Sequence, residues 1–206
     1  MTIIPSIYSS GFSFGYNNNK LFDKAKLDIK PGDRIQLVGN NGCGKTTLLR
    51  LMAGSLKPDL GNIVVNGDCY HVLGAMGGFF PFFTLKQNLT LLKYRLEYFS
   101  TNSLTEVYDE FLRFSMLSSD KLNLTMENLS AGEKLRLAFF GLVFSSSEIY
   151  MFDEFIGGVD EQFLAKRSDL IDNKILCADI LIIASHNVEF AKRYKCIIKH
   201  LNDIIQ

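Results

Sequence analysis

The chain carries a glycine-rich segment whose residue types and spacing suit the binding of phosphate groups. Four residues separate Gly39 from Gly44-Lys45-Thr46, and the segment lies between an apolar run and a helical pattern. Glycines allow backbone N–H groups to turn inward on phosphate oxygens at the start of a helix. We therefore expect Lys45 to meet the β- and γ-phosphates of a nucleotide and the Thr46 hydroxyl to ligate Mg²⁺. The nucleotide-binding residues predicted here are Gly39, Asn40, Asn41, Gly42, Cys43, Gly44, Lys45, Thr46 and Thr47.

A second pattern is a hydrophobic strand that ends in two carboxylates. Residues 148–152 are mostly apolar, and Asp153 and Glu154 follow them directly. At the carboxyl end of a strand, Asp153 is placed to hold Mg²⁺ through water, and Glu154 could polarise an attacking water molecule. A strand followed by two solvated acids gives the same pattern, so this feature has two interpretations.

Two more candidates lie where predicted elements begin or end. Ser130 and Gly132 precede an apolar helix, where a hydroxyl and backbone N–H groups would face an anion. Ser130 together with Glu133 also fits a capping box, which by itself only stabilises the helix, and both interpretations can hold together. His186 follows the apolar run 182–184, at a position where sheet enzymes place ligand-facing residues. A lone histidine at such a position is also often structural.

The elements that must position these residues alternate between strands and helices. Apolar or β-branched runs predict strands at residues 34–38, 63–65, 69–73, 148–152 and 179–184. Helical spacing predicts helices at residues 46–53, 85–99, 104–115, 130–144 and 161–173. Alternation of this kind favours a parallel, doubly wound sheet, into which the helical middle section is inserted. Asn66-Gly67 predicts a hairpin turn between two of the strands.

Composition limits the class of protein. A length of 206 residues suits one domain, and 22 basic against 22 acidic residues give a net charge of zero, unlike a basic nucleic-acid binder. The four cysteines form no CxxC pair, and we interpret Cys43 as a small loop residue rather than a redox switch. Residues 1–19 fit neither a signal peptide nor a spanning helix, and the uncharged run 71–85 is too short and too broken to span.

The order of these segments resembles the nucleotide-binding domain of ATP-binding cassette (ABC) proteins, over about residues 10–200. The resemblance identifies Lys45 with the Walker A lysine and the segment Ser130-Ala-Gly132-Glu133 with the signature motif. It identifies Asp153 and Glu154 with Walker B and the catalytic glutamate, and His186 with the switch histidine. It implies an α/β fold of the P-loop NTPase (RecA-like) type, with a parallel sheet, a small antiparallel β part and an inserted helical subdomain.

The same resemblance implies further residues and a division of the chain. Tyr16 corresponds to the aromatic residue that stacks on adenine, with Phe14 and Phe22 as alternatives, and Asp160 corresponds to the D-loop aspartate. One ABC ATPase domain is implied, with a core at about residues 1–83 and 145–206 and a helical subdomain at about 84–144. ATP and Mg²⁺ are the implied cofactors.

Several stretches, among them residues 74–79 and 153–160, are similar to the ATPases that export capsular polysaccharide, O-antigen and teichoic acid. The family implies an ATP-dependent homodimer in which Ser130 and Gly132 complete the site of the partner's ATP. It also implies a separate membrane permease, no nucleic-acid partner, and a cytoplasmic, peripheral location at the inner face of the membrane. The alternatives are a haem-exporter-like subunit and a non-transport ABC ATPase of translation, repair or regulation.

The chain departs from the family pattern at three places. The usual Q-loop glutamine is not visible, and Gln87 is not expected to contact Mg²⁺. The signature ends in Glu133 rather than glutamine, and the D-loop lacks its usual form.

The run Gly77–Phe83 has four phenylalanines around Pro81. We expect at least one or two of Phe79, Phe80, Phe82 and Phe83 to be exposed, as a surface for the permease.

Overall fold

The computed structural model describes residues 4–17, 19–73, 79–153 and 161–205. The predictions for Glu154, Asp160 and the stretch 74–78 lie outside these ranges. The chain forms two compact units. The described residues of Met1–Leu73, Ser147–Glu154 and Cys177–Gln206 form the first, and those of Gly74–Ser146 and Phe155–Leu176 form the second. The predicted boundaries of the core and the helical subdomain stay a prediction.

The first unit contains two β-sheets and three helices. Its strands are β1 (Ser6–Tyr16), β2 (Asn19–Ile29), β3 (Arg34–Val38), β4 (Leu60–Gly61), β5 (Val64–Asn66), β6 (Cys69–Val72), β7 (Ile149–Asp153), β8 (Ile180–Ala184) and β9 (Ile197–His200). Its helices are α1 (Lys45–Met52), α6 (Val188–Arg193) and α7 (Leu201–Ile204), and the second unit contains α2 (Leu85–Arg95), α3 (Leu104–Ser115), α4 (Ala131–Phe144) and α5 (Glu161–Leu176).

The larger sheet is parallel, with the strand order β6-β7-β8-β3-β9. All five residues of β8 are buried, as is expected of a strand that is covered on both faces of a parallel sheet. In the smaller sheet, β1 pairs antiparallel with β2, β4 and β5. Apolar side chains of both sheets pack with the buried Leu48 and Leu49 of α1 in one core.

The hairpin predicted at Asn66-Gly67 is wrong. β5 pairs with β1 in the antiparallel sheet, whereas β6 pairs with β7 in the parallel sheet. Gly67, with φ at 97°, does turn the chain, but a turn does not determine which strand the next segment pairs with. The buried side chain of Tyr70 packs its ring 6.2 Å from that of Tyr150 on β7, and this apolar contact draws β6 into the other sheet.

The second unit is helical and has an aromatic core. The ring of Phe140 on α4 lies between 4.7 and 5.6 Å from four other rings, those of Phe99, Phe111, Phe114 and Phe144. The helix predicted at 85–99 ends at Arg95, because Leu96 has an extended backbone, and Glu97–Phe99 form a separate 3₁₀ helix. Two more 3₁₀ helices, Ser119–Asn123 and Met126–Asn128, precede α4.

Capping boxes begin α2, α3 and α4. At α4, the backbone N–H of Glu133 donates to Ser130 Oγ at 3.2 Å, and the backbone N–H of Ser130 donates to Glu133 Oε2 at 2.8 Å. Glu133 Oε1 also forms an ion pair with Lys121 Nζ at 2.9 Å. At α2, Gln87 Oε1 accepts from the backbone N–H of Thr84 at 2.8 Å, so this amide caps the helix.

The capping interactions change the acidity of Glu133. Burial alone would raise the pKa of its carboxyl group, but the hydrogen bonds from Lys121 and Ser130 and the charge of Lys121 outweigh this effect. The pKa of Glu133 is therefore lower in the folded protein than its usual value. A carboxyl group with a depressed folded pKa contributes stability above the unfolded pKa and loses it as the pH falls through the folded pKa.

We predict that Glu133→Gln is less stable than the wild type by about 0.5–1 kcal/mol near neutral pH, since Gln keeps the capping box but not the ion pair. This difference should shrink as the pH is lowered, because a protonated Glu133 resembles Gln. Urea denaturation of both proteins over a falling pH series measures it. A difference that stays constant below the usual carboxyl pKa would show that the Glu133 charge is not its source.

Candidate functional site

The candidate site lies at one edge of the parallel sheet. β8 pairs with β3 on one side and with β7 on the other, and Ala184 lies opposite Leu37 and opposite Asp153. The carboxyl ends of parallel strands meet at the same edge, which is where ligands bind in open α/β sheets. The glycine-rich loop after β3, the carboxylate at the end of β7 and the loop after β8 are thereby brought together.

The glycine-rich loop leads directly into α1. Gly42 and Gly44 have φ angles of 80° and 110°, a region that favours glycine, and α1 begins at Lys45. Lys45 is only 8% exposed, and its Nζ donates to the carbonyl oxygens of Gly39 at 2.7 Å and Asn40 at 3.3 Å. The loop therefore holds a cation against its own backbone, at the start of a helix whose dipole favours anions.

The predicted metal ligands are in contact with each other. Thr46 Oγ1 on α1 donates to Asp153 Oδ2 on β7 at 2.7 Å. A hydroxyl and a carboxylate are hard oxygen donors, the kind that Mg²⁺ prefers. These residues fit a Mg²⁺ ion, which Thr46 and Asp153 would hold beside the phosphates to neutralise their charge.

Of the three aromatic candidates for adenine stacking, only Tyr16 is exposed. Phe14 and Phe22 are 7% and 2% exposed, and their rings are part of the core, so the two alternatives are wrong. Tyr16 pairs with Asn19 at the end of the β1–β2 hairpin, and a Cβ atom at Gly44 would lie 3.1 Å from Leu21 of β2. The end of the hairpin thus lies beside the glycine-rich loop, and the stacking role of Tyr16 stays a prediction.

The loop after β8 carries His186, whose side chain is exposed. The neighbours of His186 are tightly bonded, because the backbone N–H of Asn187 donates to Ser185 Oγ at 3.0 Å. Gln36 Nε2, from the middle of β3, donates to the carbonyl oxygens of Ser185 at 2.9 Å and Asn187 at 3.0 Å. Gln36 was not predicted from the sequence: an amide between Ile35 and Leu37 is visible there, but the partners of this amide lie far away along the chain.

Ser130 and Gly132 belong to the second unit, at the start of α4. Ser130 is exposed, and its hydroxyl oxygen accepts the capping hydrogen bond from Glu133. The capping interpretation of this motif is therefore confirmed. The contact with a partner's nucleotide stays a prediction, as does the role of Glu154, which lies outside the described residues.

The expected exposure of the aromatic run is confirmed. Phe80, Phe82 and Phe83 are 54%, 78% and 40% exposed, and the centroids of the stacked Phe80 and Phe83 rings lie 5.1 Å apart.

Within the described ranges, none of the helices combines the length and the apolar character that crossing a bilayer demands.

Comparison with known proteins shows the family to which the chain belongs. Residues 22–157 match the ABC transporter family. The polysialic acid transport ATP-binding protein KpsT of Escherichia coli is 32% identical over 182 residues, which cover 88% of this chain and 81% of KpsT. The cytochrome c biogenesis ATP-binding export protein CcmA of Reclinomonas americana is 28% identical over 204 residues, which cover 93% of this chain and 90% of CcmA.

The fold is also found among solved structures. The dimeric, post-hydrolysis ATP-binding cassette MJ0796 bound to ADP and Pi aligns with a TM-score of 0.72 at 18% identity, over 95% of this chain and 94% of that one. The predicted fold class, a P-loop NTPase core with a parallel sheet, an antiparallel β part and helical parts, is confirmed. Since the family match spans more than half of its length, this chain belongs to the ABC transporter family and is an ATP-binding ATPase domain of that family.

Proposed function

We propose that the chain is the ATP-hydrolysing subunit of an exporter that moves a polysaccharide or glycolipid through a separate membrane permease. It works as an ATP-dependent homodimer on the cytoplasmic face of the membrane. The observation that carries the ATPase part is the edge of the parallel sheet, where three adjacent strands bring together the glycine-rich loop, Asp153 and the loop of His186.

Each predicted site residue has a distinct part in the proposed reaction. The backbone N–H groups of the loop and the amine of Lys45 bind the phosphates, and Thr46 and Asp153 hold Mg²⁺. Glu154 orients the water that attacks the γ-phosphorus and accepts its proton, while the bond between the γ-phosphorus and the β–γ bridging oxygen breaks and ADP leaves. His186 donates to the γ-phosphate and stabilises the charge that develops there. Tyr16 stacks on the adenine ring.

The likeness of Ser130 and Gly132 to the family's signature motif supports the proposed homodimer. Ser130 and Gly132 are proposed to contact the ATP that is bound by the partner's glycine-rich loop. The Ser130 hydroxyl accepts one hydrogen bond from Glu133, and its own proton stays available for a phosphate oxygen. The similarity to a dimeric cassette supports this arrangement.

We predict that Glu154→Gln binds Mg-ATP but nearly stops hydrolysing it, because the amide keeps the shape of the side chain and removes the base. Without turnover, the closed dimer should persist. Size-exclusion chromatography with Mg-ATP should therefore show a dimer for the variant and mostly a monomer for the wild type.

Glu161→Gln, the same chemical change at an exposed position of α5, is the matched control and should behave like the wild type. Turnover of ATP by Glu154→Gln at the rate of the wild type would show that another group is the base.

The aromatic loop is the surface that we propose for the permease. Asn88 of α2 is 1% exposed and fixes this loop: its Oδ1 accepts from the backbone N–H of Phe80 at 2.9 Å. Its Nδ2 donates to the carbonyl oxygens of Phe80 at 3.0 Å, Phe83 at 3.3 Å and Thr84 at 3.1 Å. The loop is also bonded from the other side, by the backbone N–H of Met126 to the Phe83 carbonyl at 2.9 Å.

These bonds fix the loop backbone at Phe80 and Phe83, and the rings of Phe80, Phe82 and Phe83 are exposed to solvent. Exposed apolar area of this kind is unfavourable in an isolated protein and is typical of a surface that a partner covers. A surface that is already rigid loses little conformational entropy on binding, which favours affinity. A permease with a short apolar cytoplasmic segment fits this surface.

Two candidate functions within export differ in the cargo, which is either a polysaccharide or haem. KpsT, by its name, belongs to polysialic acid transport, and its similarity supports a polysaccharide. CcmA, named for cytochrome c biogenesis, matches over a larger share of this chain and supports a haem-exporter-like subunit as the second candidate. The aromatic loop would bind the permease in both cases. An assay in the host cell is therefore needed to distinguish the two cargoes.

We predict that Phe82→Ser leaves folding and ATP binding intact but lowers the amount of the subunit that is recovered with the membranes of its host. The reason is that Phe82 is the most exposed ring of the loop, at 78%, and contributes little to the core. Membrane fractionation, surface polysaccharide and covalently bound haem in c-type cytochromes are the measurements. Polysaccharide export predicts a loss of surface polysaccharide with unchanged cytochromes.

Leu60→Ser is the matched control, since Leu60 is similarly exposed, at 70%, but lies on β4 of the other unit. Loss of the cytochrome haem alone would favour the second candidate. Unchanged membrane recovery of Phe82→Ser would exclude the aromatic loop as the docking surface.

A further inference from the structure

We propose that Gln36 is a positioning residue that fixes the loop Ser185–Asn187 and thereby the place of His186. The inference rests on the proposed function in one respect, since the role of His186 in hydrolysis is itself proposed. Its structural part, the fixing of the loop, stands on the geometry of β3 and β8.

The Gln36 side chain bonds to the chain on both sides of His186. The amide nitrogen of Gln36 donates to the carbonyl oxygens of the residues immediately before and after the histidine, at 2.9 and 3.0 Å. The amide orientation follows from this pair of acceptors, because the opposite orientation would place Oε1 against two carbonyl oxygens. One side chain thus holds both ends of the three-residue segment.

The placement of Gln36 is difficult to explain by stability. Gln36 is 0% exposed, and within the described part of the chain its Oε1 has no hydrogen-bond partner. A buried acceptor without a partner destabilises a fold by about 1–3 kcal/mol, which offsets much of what the two hydrogen bonds of the amide nitrogen contribute. A polar residue kept at such a cost is expected to have a second role.

That role follows from the position of Gln36 along β3. The strand runs from Gln36 through Val38 into the glycine-rich loop, while the Gln36 amide reaches across to the loop after β8. The phosphate-binding loop and the His186 loop therefore share one rigid support. Loss of this support would leave ATP bound but the His186 donor misplaced, and misplacement by about 1 Å is enough to slow a reaction by about a hundredfold.

The test uses Gln36→Met, which has a similar length and lacks the amide, with Gln36→Leu as a second variant in case one of them folds poorly. Only a small change in overall stability is expected for either, since the loss of the unpaired acceptor offsets the loss of the two hydrogen bonds to the Ser185 and Asn187 carbonyl oxygens. In the full chain, kcat for Mg-ATP should fall by at least about tenfold while the affinity for Mg-ATP, measured by calorimetry, stays within about twofold. The same substitution in a His186→Ala background should lower kcat by less than about twofold, because the two residues act as one unit.

Hydrogen exchange of the segment 185–187 gives a readout that does not depend on the chemistry. We expect exchange in this segment to be at least about tenfold faster in Gln36→Met, because the loop opens more often. Ser9→Ala is the matched control: it removes another buried hydrogen bond of the same unit, from Ser9 Oγ to the Asn62 carbonyl at 2.6 Å, and should leave the segment unchanged.

The outcomes separate the two proposals. An equal fall in kcat with and without His186, or unchanged exchange in 185–187, overturns the positioning role of Gln36. Wild-type turnover by His186→Ala would instead overturn the proposed role of the histidine, and the exchange measurement would still decide whether Gln36 fixes the loop.

Discussion

The parallel pairing of β8 with β3 on one side and with β7 on the other is the constraint on which the candidate site depends. This pairing places Ala184 opposite both Leu37 and Asp153, so the segments that follow the three strands leave the sheet at one edge. A strand advances about 3.3 Å per residue, and a register shift of two residues would move one segment by about 6.6 Å. The hydrogen bond between Thr46 and Asp153, at 2.7 Å, exists only in the observed register. All five residues of β8 are buried, as is typical of a central strand of a parallel sheet.

Local signals made part of this structure predictable. Glycines with positive φ angles determine the shape of the phosphate loop within a few residues, and the capping boxes place the starts of α3 and α4 where the sequence predicts them. The prediction of a hairpin at Asn66-Gly67 was wrong because tertiary contacts, rather than the turn, determine which strand β6 pairs with. Gln36 was missed for the same reason: its carbonyl partners lie 149 and 151 positions away, and no local pattern links them to it.

The two compact units are stabilised by different interactions. The first is held by strand pairing and keeps polar groups at one sheet edge. The second packs aromatic rings around Phe140 and keeps others, Phe80, Phe82 and Phe83, toward solvent in a loop that Asn88 fixes. In both units a buried amide side chain, that of Gln36 or Asn88, holds a loop by its backbone carbonyl groups. The aromatic loop could be expected from its glycines and proline, whereas its rigidity depends on contacts that only the structure shows.

All other steps of the proposed reaction depend on the binding of the ATP phosphates by the loop around Lys45. Calorimetric titration of the wild type and of Lys45→Ala with Mg-ATP measures this binding, with Lys57→Ala as a control that removes an exposed lysine. We expect Lys57→Ala to bind like the wild type and Lys45→Ala to lose at least about tenfold in affinity, since a charge-assisted contact to phosphate is worth about 1.5–3 kcal/mol. Binding of Mg-ATP by Lys45→Ala with the affinity of the wild type would contradict this expectation.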